Sequence, residues 1–273
     1  MKQKKDQFVI ACLESPSTAE TVLLYARHCA ARLGKGIIVL NVSKEGENDW
    51  LKQYGLPYVG LKGDWKTAID GLPTAFGGVL AVTSVNTDAP RSSIANPTTL
   101  LKTFADCKIA FLVVNSLRPE GSSASVGQQI NGHWPLATTL TLDHRRESKE
   151  KLVWGSYMVR FFASRLTVVT PAYNDAGLRE KVKNNVLFLK KIYTSLDVDY
   201  TLRQVELPRL TSPDMAVLKG MEDDGLLIAM TTDRRDRDIG DILMGNPERR
   251  LLAAATVPIL FLNQRDDLYV LCD

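Results

Sequence analysis

The feature that most constrains this sequence is a series of short, unbroken apolar runs that occurs twice. Phe8 to Leu13 (FVIACL), Ile37 to Val42 (IIVLNV), Gly78 to Thr83 (GVLAVT) and Ile109 to Asn115 (IAFLVVN) lie in the first half, with Tyr58 to Leu61 as a weaker member. Ala137 to Leu142 (ATTLTL), Leu166 to Thr170 (LTVVT), Gly225 to Met230 (GLLIAM) and Pro258 to Asn263 (PILFLN) repeat the order roughly 130 residues later. Tyr200 to Leu207 completes the second series and alternates in polarity. A run that does not alternate is a strand buried on both faces, which is the mark of a parallel sheet.

Parallel strands need crossovers, and the segments between the runs carry helical spacing. Ala19, Val22, Leu23, Ala26, Ala30 and Leu33 recur at i, i+3 and i+4, and Gly34 stands where a helix-ending glycine belongs. Asp64 to Phe76 reads as helical, ended or kinked by Pro73. Thr98 to Ala105 is a short helix. In the second half the helices are Glu147 to Ala163, with Leu152, Val159 and Phe162 on one side, then a long one marked by Leu178, Val182, Val186, Leu189, Tyr193 and Leu196. Ser212 to Met221 follows, with Ser212 as N-cap and Pro213 at the first helical position, and then Glu248 to Ala255. Both halves therefore read β-α-β-α-β-α-β-α-β, the second helix of the first half being a stub near Asp49 to Tyr54. Between them Ser116 to Gly132 (SLRPEGSSASVGQQING) is rich in Gly and Ser and poor in apolar residues, as a linker is. The expected organisation is a degenerate first domain over 1–115, a linker over 116–135 and a second domain over 136–273.

Composition narrows the function classes. Thirty-four basic residues against 31 acidic ones give a net charge of +3, too balanced for a nucleic-acid footprint. The basic start Met1-Lys2-Gln3-Lys4-Lys5 is followed by an apolar run too short for a signal peptide, and no run is long enough to span a membrane, so a cytoplasmic protein is expected. Cys12, Cys29, Cys107 and Cys272 have no CxxC spacing, and the histidines His28, His133 and His144 have no HxxxH spacing. No metal is expected. There is no G-x-S-x-G, no GxGxxG and no GxxxxGK[ST], and no nucleophile–base constellation that would make an enzyme.

The closing segment Gly245 to Asn263 (GNPERRLLAAATVPILFLN) and the opening segment Thr139 to Val169 (TLTLDHRRESKEKLVWGSYMVRFFASRLTVV) of the second half resemble the two ends of a universal stress protein domain. Asp143 falls on that family's first-turn aspartate. Phe8 to Gly34 and Asn96 to Asn115 resemble the same segments more faintly, and Asn-Pro recurs at Asn96-Pro97 and Asn246-Pro247. The resemblance implies α/β architecture: two tandem Rossmann-like domains, each a mostly parallel five-stranded sheet with helices on both faces. It also implies an intramolecular pseudo-dimer of the halves through their last strands, and it allows a homodimer and a protein partner that the sequence does not identify. The implied function is a stress-response regulatory or interaction module; an adenine-nucleotide sensor acting through the second domain is the alternative.

Nucleotide-binding members of that family resemble one another in a glycine-rich loop after the fourth strand, where bare backbone approaches phosphate. Here only Gly245 remains; Thr231 or Thr232 and Arg234 or Arg235 take the first two glycine positions, and Pro247 removes one helix N–H. The candidate pocket is thus Asp143, Met230, Thr231, Thr232, Arg234, Gly245 and Asn246, degenerate, with no cofactor or with ATP or AMP held weakly. Each residue also has a plainer role. Asp143 can form a turn, Asn96 and Asn246 can cap helices, and Arg234, Arg235 and Arg237 can pair in solvent with Asp233, Asp236 and Asp238. In the first half Leu13 replaces the aspartate, with Glu14 beside it, and Val82 to Asn96 has no glycine.

Overall fold

The computed structural model describes residues 6–43, 49–115, 134–208, 211–221, 225–231 and 246–263. The chain divides into two compact units, Met1–Gly132 and His133–Asp273. The expected linker lies almost wholly outside the described residues.

In the first unit β1 (Phe8–Cys12) leads into α1 (Pro16–Leu33), then β2 (Gly36–Ser43), a 3-10 turn (Asp49–Tyr54) and β3 (Tyr58–Lys62). Two short helices follow, α2 (Trp65–Asp70) and α3 (Leu72–Ala75), then β4 (Gly78–Val85), α4 (Pro97–Phe104) and β5 (Ala110–Asn115). The strands stand in the order β3-β2-β1-β4-β5, all parallel. Each boundary has a local cause. Pro16 opens α1 where its missing N–H is no loss, and Gly34 ends it at φ 63, a left-handed conformation glycine adopts without a Cβ clash. Asp64 caps α2 through Thr67 N–H at 2.9 Å. Pro73 sits in the first turn of α3, so the expected interruption of this helix is real.

The second unit repeats the plan: β6 (Ala137–Thr141), a 3-10 turn (Glu147–Lys149) running into α5 (Glu150–Phe162), β7 (Arg165–Ala172), α6 (Ala176–Leu196) and β8 (Thr201–Glu206). Then come α7 (Pro213–Leu218), β9 (Gly225–Met230), α8 (Pro247–Ala254) and β10 (Ile259–Leu262). The order is β10-β9-β6-β7-β8, again all parallel. Helices α5 and α7 both pack on β6, β7 and β9, and so cover opposite faces; α6 packs beside α5 and α8 beside α7. These are the faces that right-handed crossovers dictate when the chain reverses direction at β6.

Two details depart from the periodicity. The alternation of Tyr200 to Leu207 implies one buried face, yet β8 is exposed along nearly its whole length, because it pairs only with β7 at the edge. In α5 the buried face holds not only Leu152 and Phe162 but Lys151, Gly155, Ser156 and Met158, with Val159 only half-buried. Gly155 is there for space. A Cβ would lie 2.4 Å from the Tyr193 hydroxyl and 2.9 Å from Leu140 Cδ2, so glycine lets α5 approach β6 and α6 closely.

Candidate functional site

In an open parallel sheet the ligand crevice lies beyond the carboxyl ends of the strands, where the strand order reverses. In the second unit that place is the end of β6 next to β9. The turn after β6 carries Asp143, which is only 1% exposed. Its Oδ1 accepts the backbone N–H of Arg145 at 2.9 Å, and its Oδ2 accepts Arg145 Nε at 2.8 Å and lies 2.8 Å from Nη2. Burial alone would push the Asp143 carboxyl up, but the charges of Arg145 and Lys151 and the Arg145 hydrogen bonds outweigh it and hold it below the ordinary carboxylate range. The same pairing raises Arg145 further, against its own burial. Asn185 of α6 fastens the turn from behind, its Nδ2 donating to the carbonyls of Asp143 at 2.7 Å and Arg145 at 3.0 Å.

A second buried pair lies beside the first. Lys151 of α5, with no exposed surface, donates from Nζ to Thr141 Oγ1 at 2.7 Å and to Asp214 Oδ1 at 3.3 Å. Thr141 passes its own hydroxyl hydrogen to the same Asp214 oxygen. Thr141 ends β6, while α5 and α7 lie on opposite faces, so the cluster joins the two helical layers over the end of the central strand. Asp143, Arg145, Lys151 and Asp214 together are charge-neutral, as a buried ionic group must nearly be. None of Lys151, Asp214, Asn185 and Tyr173 stood out in the sequence as a site residue. The one legible signal was a lysine on the apolar stripe of α5.

The remaining candidates divide. Met230 is buried at the end of β9, and Thr231 after it bonds Asn263 Oδ1 at 2.7 Å. Asn246 caps α8, accepting Arg249 N–H at 2.8 Å, as its alternative reading anticipated. Thr232, Arg234 and Gly245, like Arg235 and Arg237, lie outside the described residues. In the first unit Glu14 reaches from the end of β1 to the loop after β4, where its carboxylate accepts the Ser93 hydroxyl and, at 3.4 Å, the Ile94 N–H. Asn96 caps α4 through Thr98 N–H at 3.0 Å and ties the same loop through Ala89 O at 2.8 Å.

Cys12, Cys29 and Cys107 are buried thiols outside any disulfide; burial pushes Cys107 up to about 11 and the other two higher, so none of the three is a ready nucleophile. Among the described residues no group of three or more His, Cys, Asp or Glu is placed to hold a metal ion. No helix among them is long and apolar enough to cross a membrane.

No protein-family model matches the sequence, and no curated protein matches it. Solved structures do match. A protein of Pseudomonas aeruginosa UCBPP-PA14 assigned to the universal stress proteins aligns over 98% of this chain and 96% of its own, with a TM-score of 0.62 at 13% identity. A universal stress protein of Archaeoglobus fulgidus DSM 4304 aligns over 95% and 97%, with a TM-score of 0.61 at 11% identity. The fold is that of the universal stress proteins. A protein of unknown function from Pseudomonas aeruginosa PAO1 shares it, at a TM-score of 0.59 and 14% identity over 98% and 96% of the two chains. On this universal-stress fold the strand-end turn of the second unit is built around ion pairs internal to the chain.

Proposed function

We propose that the chain is a tandem universal stress protein, a cytoplasmic stress-response module that works by contact with a protein partner rather than by catalysis, with its nucleotide pocket out of use. One observation carries the reading. Both oxygens of Asp143, the carboxylate best placed to receive a ribose or base, are taken by Arg145 in three close contacts. A ligand would have to break a buried, charge-assisted arrangement to reach it, and each such bond lost without replacement costs about 1.5–3 kcal/mol. The loop chemistry points the same way, because Pro247 lacks an N–H and only Gly245 remains of the phosphate-cradling glycines.

Calorimetric titration of the purified protein with Mg-ATP, ADP and AMP tests this. Two lost bonds turn a micromolar site into one near millimolar, so no dissociation constant below about 10 μM is expected. A tighter constant for any of the three sinks the reading.

A further inference from the structure

An open cleft of about 400 Å³ borders the strand-end network, between the turn after β6 and the first half of α6. Its lining is His144, Arg145, Arg146, Lys181, Asn184 and Asn185. No side chain in that set can carry negative charge. Of the carboxylates around it, Asp143 is buried under Arg145, Glu180 pairs with Lys183 at 3.9 Å, and Glu147, half-buried at the start of the 3-10 turn, acts on His144 from outside the lining. Two elements far apart in the chain thus place cations around one concavity. Like charges so placed raise one another's energy, and an anion between them relieves it.

The walls are fixed as well as charged. Asn185, buried at 4% exposure, holds the carbonyls of Asp143 and Arg145 and so sets the turn against α6. Ser148 Oγ donates to the Arg145 carbonyl at 2.8 Å, which fixes where the Arg145–Arg146 pair leaves the turn. His144 Nδ1 is 3.0 Å from the Tyr173 hydroxyl, the rings meeting edge-on at 5.2 Å between centroids. That contact occupies one ring nitrogen and leaves Nε2 for a ligand. The turn backbone and the His144 ring are thus set before an anion arrives.

We propose that this cleft is an anion site that takes the phosphate group of a small phosphorylated molecule. Guanidinium and ammonium donors from Arg146 and Lys181, with the amide of Asn184 and the imidazole of His144, match a tetrahedral group rich in acceptor oxygens. The site adjoins the Asp143 pocket through Arg145, but its lining includes none of Asp143, Met230, Thr231 and Asn246, and it does not require a base or ribose to be recognised.

His144 is the built-in reporter. Burial lowers its pKa most; Asp143 and Glu147 pull it up, and Arg145 and Lys181 add to the lowering. A phosphate dianion about 5 Å away should move its titration upward by roughly half a unit to one unit. The experiment follows the imidazole resonances of the full-length protein by NMR across pH, with and without inorganic phosphate, against sodium chloride at equal ionic strength. A His144→Gln variant assigns the peak. Phosphate should shift His144 and leave His28 unmoved, and ribose 5-phosphate should act like phosphate while adenosine does nothing. The Arg146→Gln/Lys181→Gln variant, altered only at exposed positions, should bind at least about tenfold more weakly. The proposal fails if phosphate moves His144 no further than chloride does, if adenosine moves it equally, or if the double variant keeps the full shift.

Discussion

The Lys151–Thr141–Asp214 cluster gives the sharpest mutational test of how the second unit is held together. Lys151→Met keeps the length and apolar stem of the side chain and removes its charge. Asp214, only 8% exposed, is then left with a single hydroxyl donor in the cluster and a more distant charge on Arg145. Removing one partner of a buried pair costs about 3–5 kcal/mol, mostly the desolvation of the charge left behind. For a domain of this size the urea dependence is about 2 kcal/mol per molar, so the midpoint of the second unit should fall by roughly 1.5–2.5 M. So that each unit is followed by its own signal, urea denaturation is read by hydrogen exchange with mass spectrometry, in which peptides from β6 report the second unit and those from β1 the first. The triple variant Thr141→Val/Lys151→Met/Asp214→Leu leaves none of the three polar groups buried without a partner. It should therefore be more stable than Lys151→Met alone. A midpoint loss under about 0.5 M for Lys151→Met, or a triple variant no better than the single, would refute the argument that this pair bears on stability.

Two further perturbations follow from the same unit. Asp143 titrates below the ordinary carboxylate range when folded, so the stability it contributes is complete above the unfolded carboxylate pKa and is lost as pH falls through the folded value. The second unit should thus weaken below about pH 4, and Asp143→Asn should flatten that part of the profile; superimposable acid limbs for the two proteins would contradict it. Gly155→Ala adds a helix-favouring residue, worth about 1 kcal/mol on propensity alone, but drives a Cβ into Tyr193 and Leu140. The net result should be a loss of about 1–3 kcal/mol, and a thermal midpoint at or above the parent's would show that α6 gives way more easily than its packing suggests.

The order of elements was legible because a buried parallel strand and an amphipathic helix leave different periods in the sequence. The runs at Phe8, Ile37, Gly78 and Ala137 became β1, β2, β4 and β6, and even the weak run at Tyr58 became β3. Caps were legible for a related reason: Gly34, Asn96, Ser212 and Asn246 act on backbone groups within a few residues. The candidate site was only partly so. Asp143 could be singled out, but whether it faces a ligand or a neighbour depends on Arg145, two residues away, and on Asn185, forty-two residues away.

What the sequence determined by itself was therefore the class and the layout: two series of strands and helices, parallel sheets, and a second half with complete helices. These depend on local period and on groups close along the chain. Only the tertiary structure decided the chemistry at the strand ends. It brought Thr141 and Lys151 together with Asp214, more than sixty residues further on, and set Lys181 across a cleft from Arg146. Such partnerships are made by the crossovers that carry the chain from one face of the sheet to the other. A lysine in an apolar stripe signals that a partner must exist, because a buried charge is too costly alone; which carboxylate answers it is settled when the layers pack.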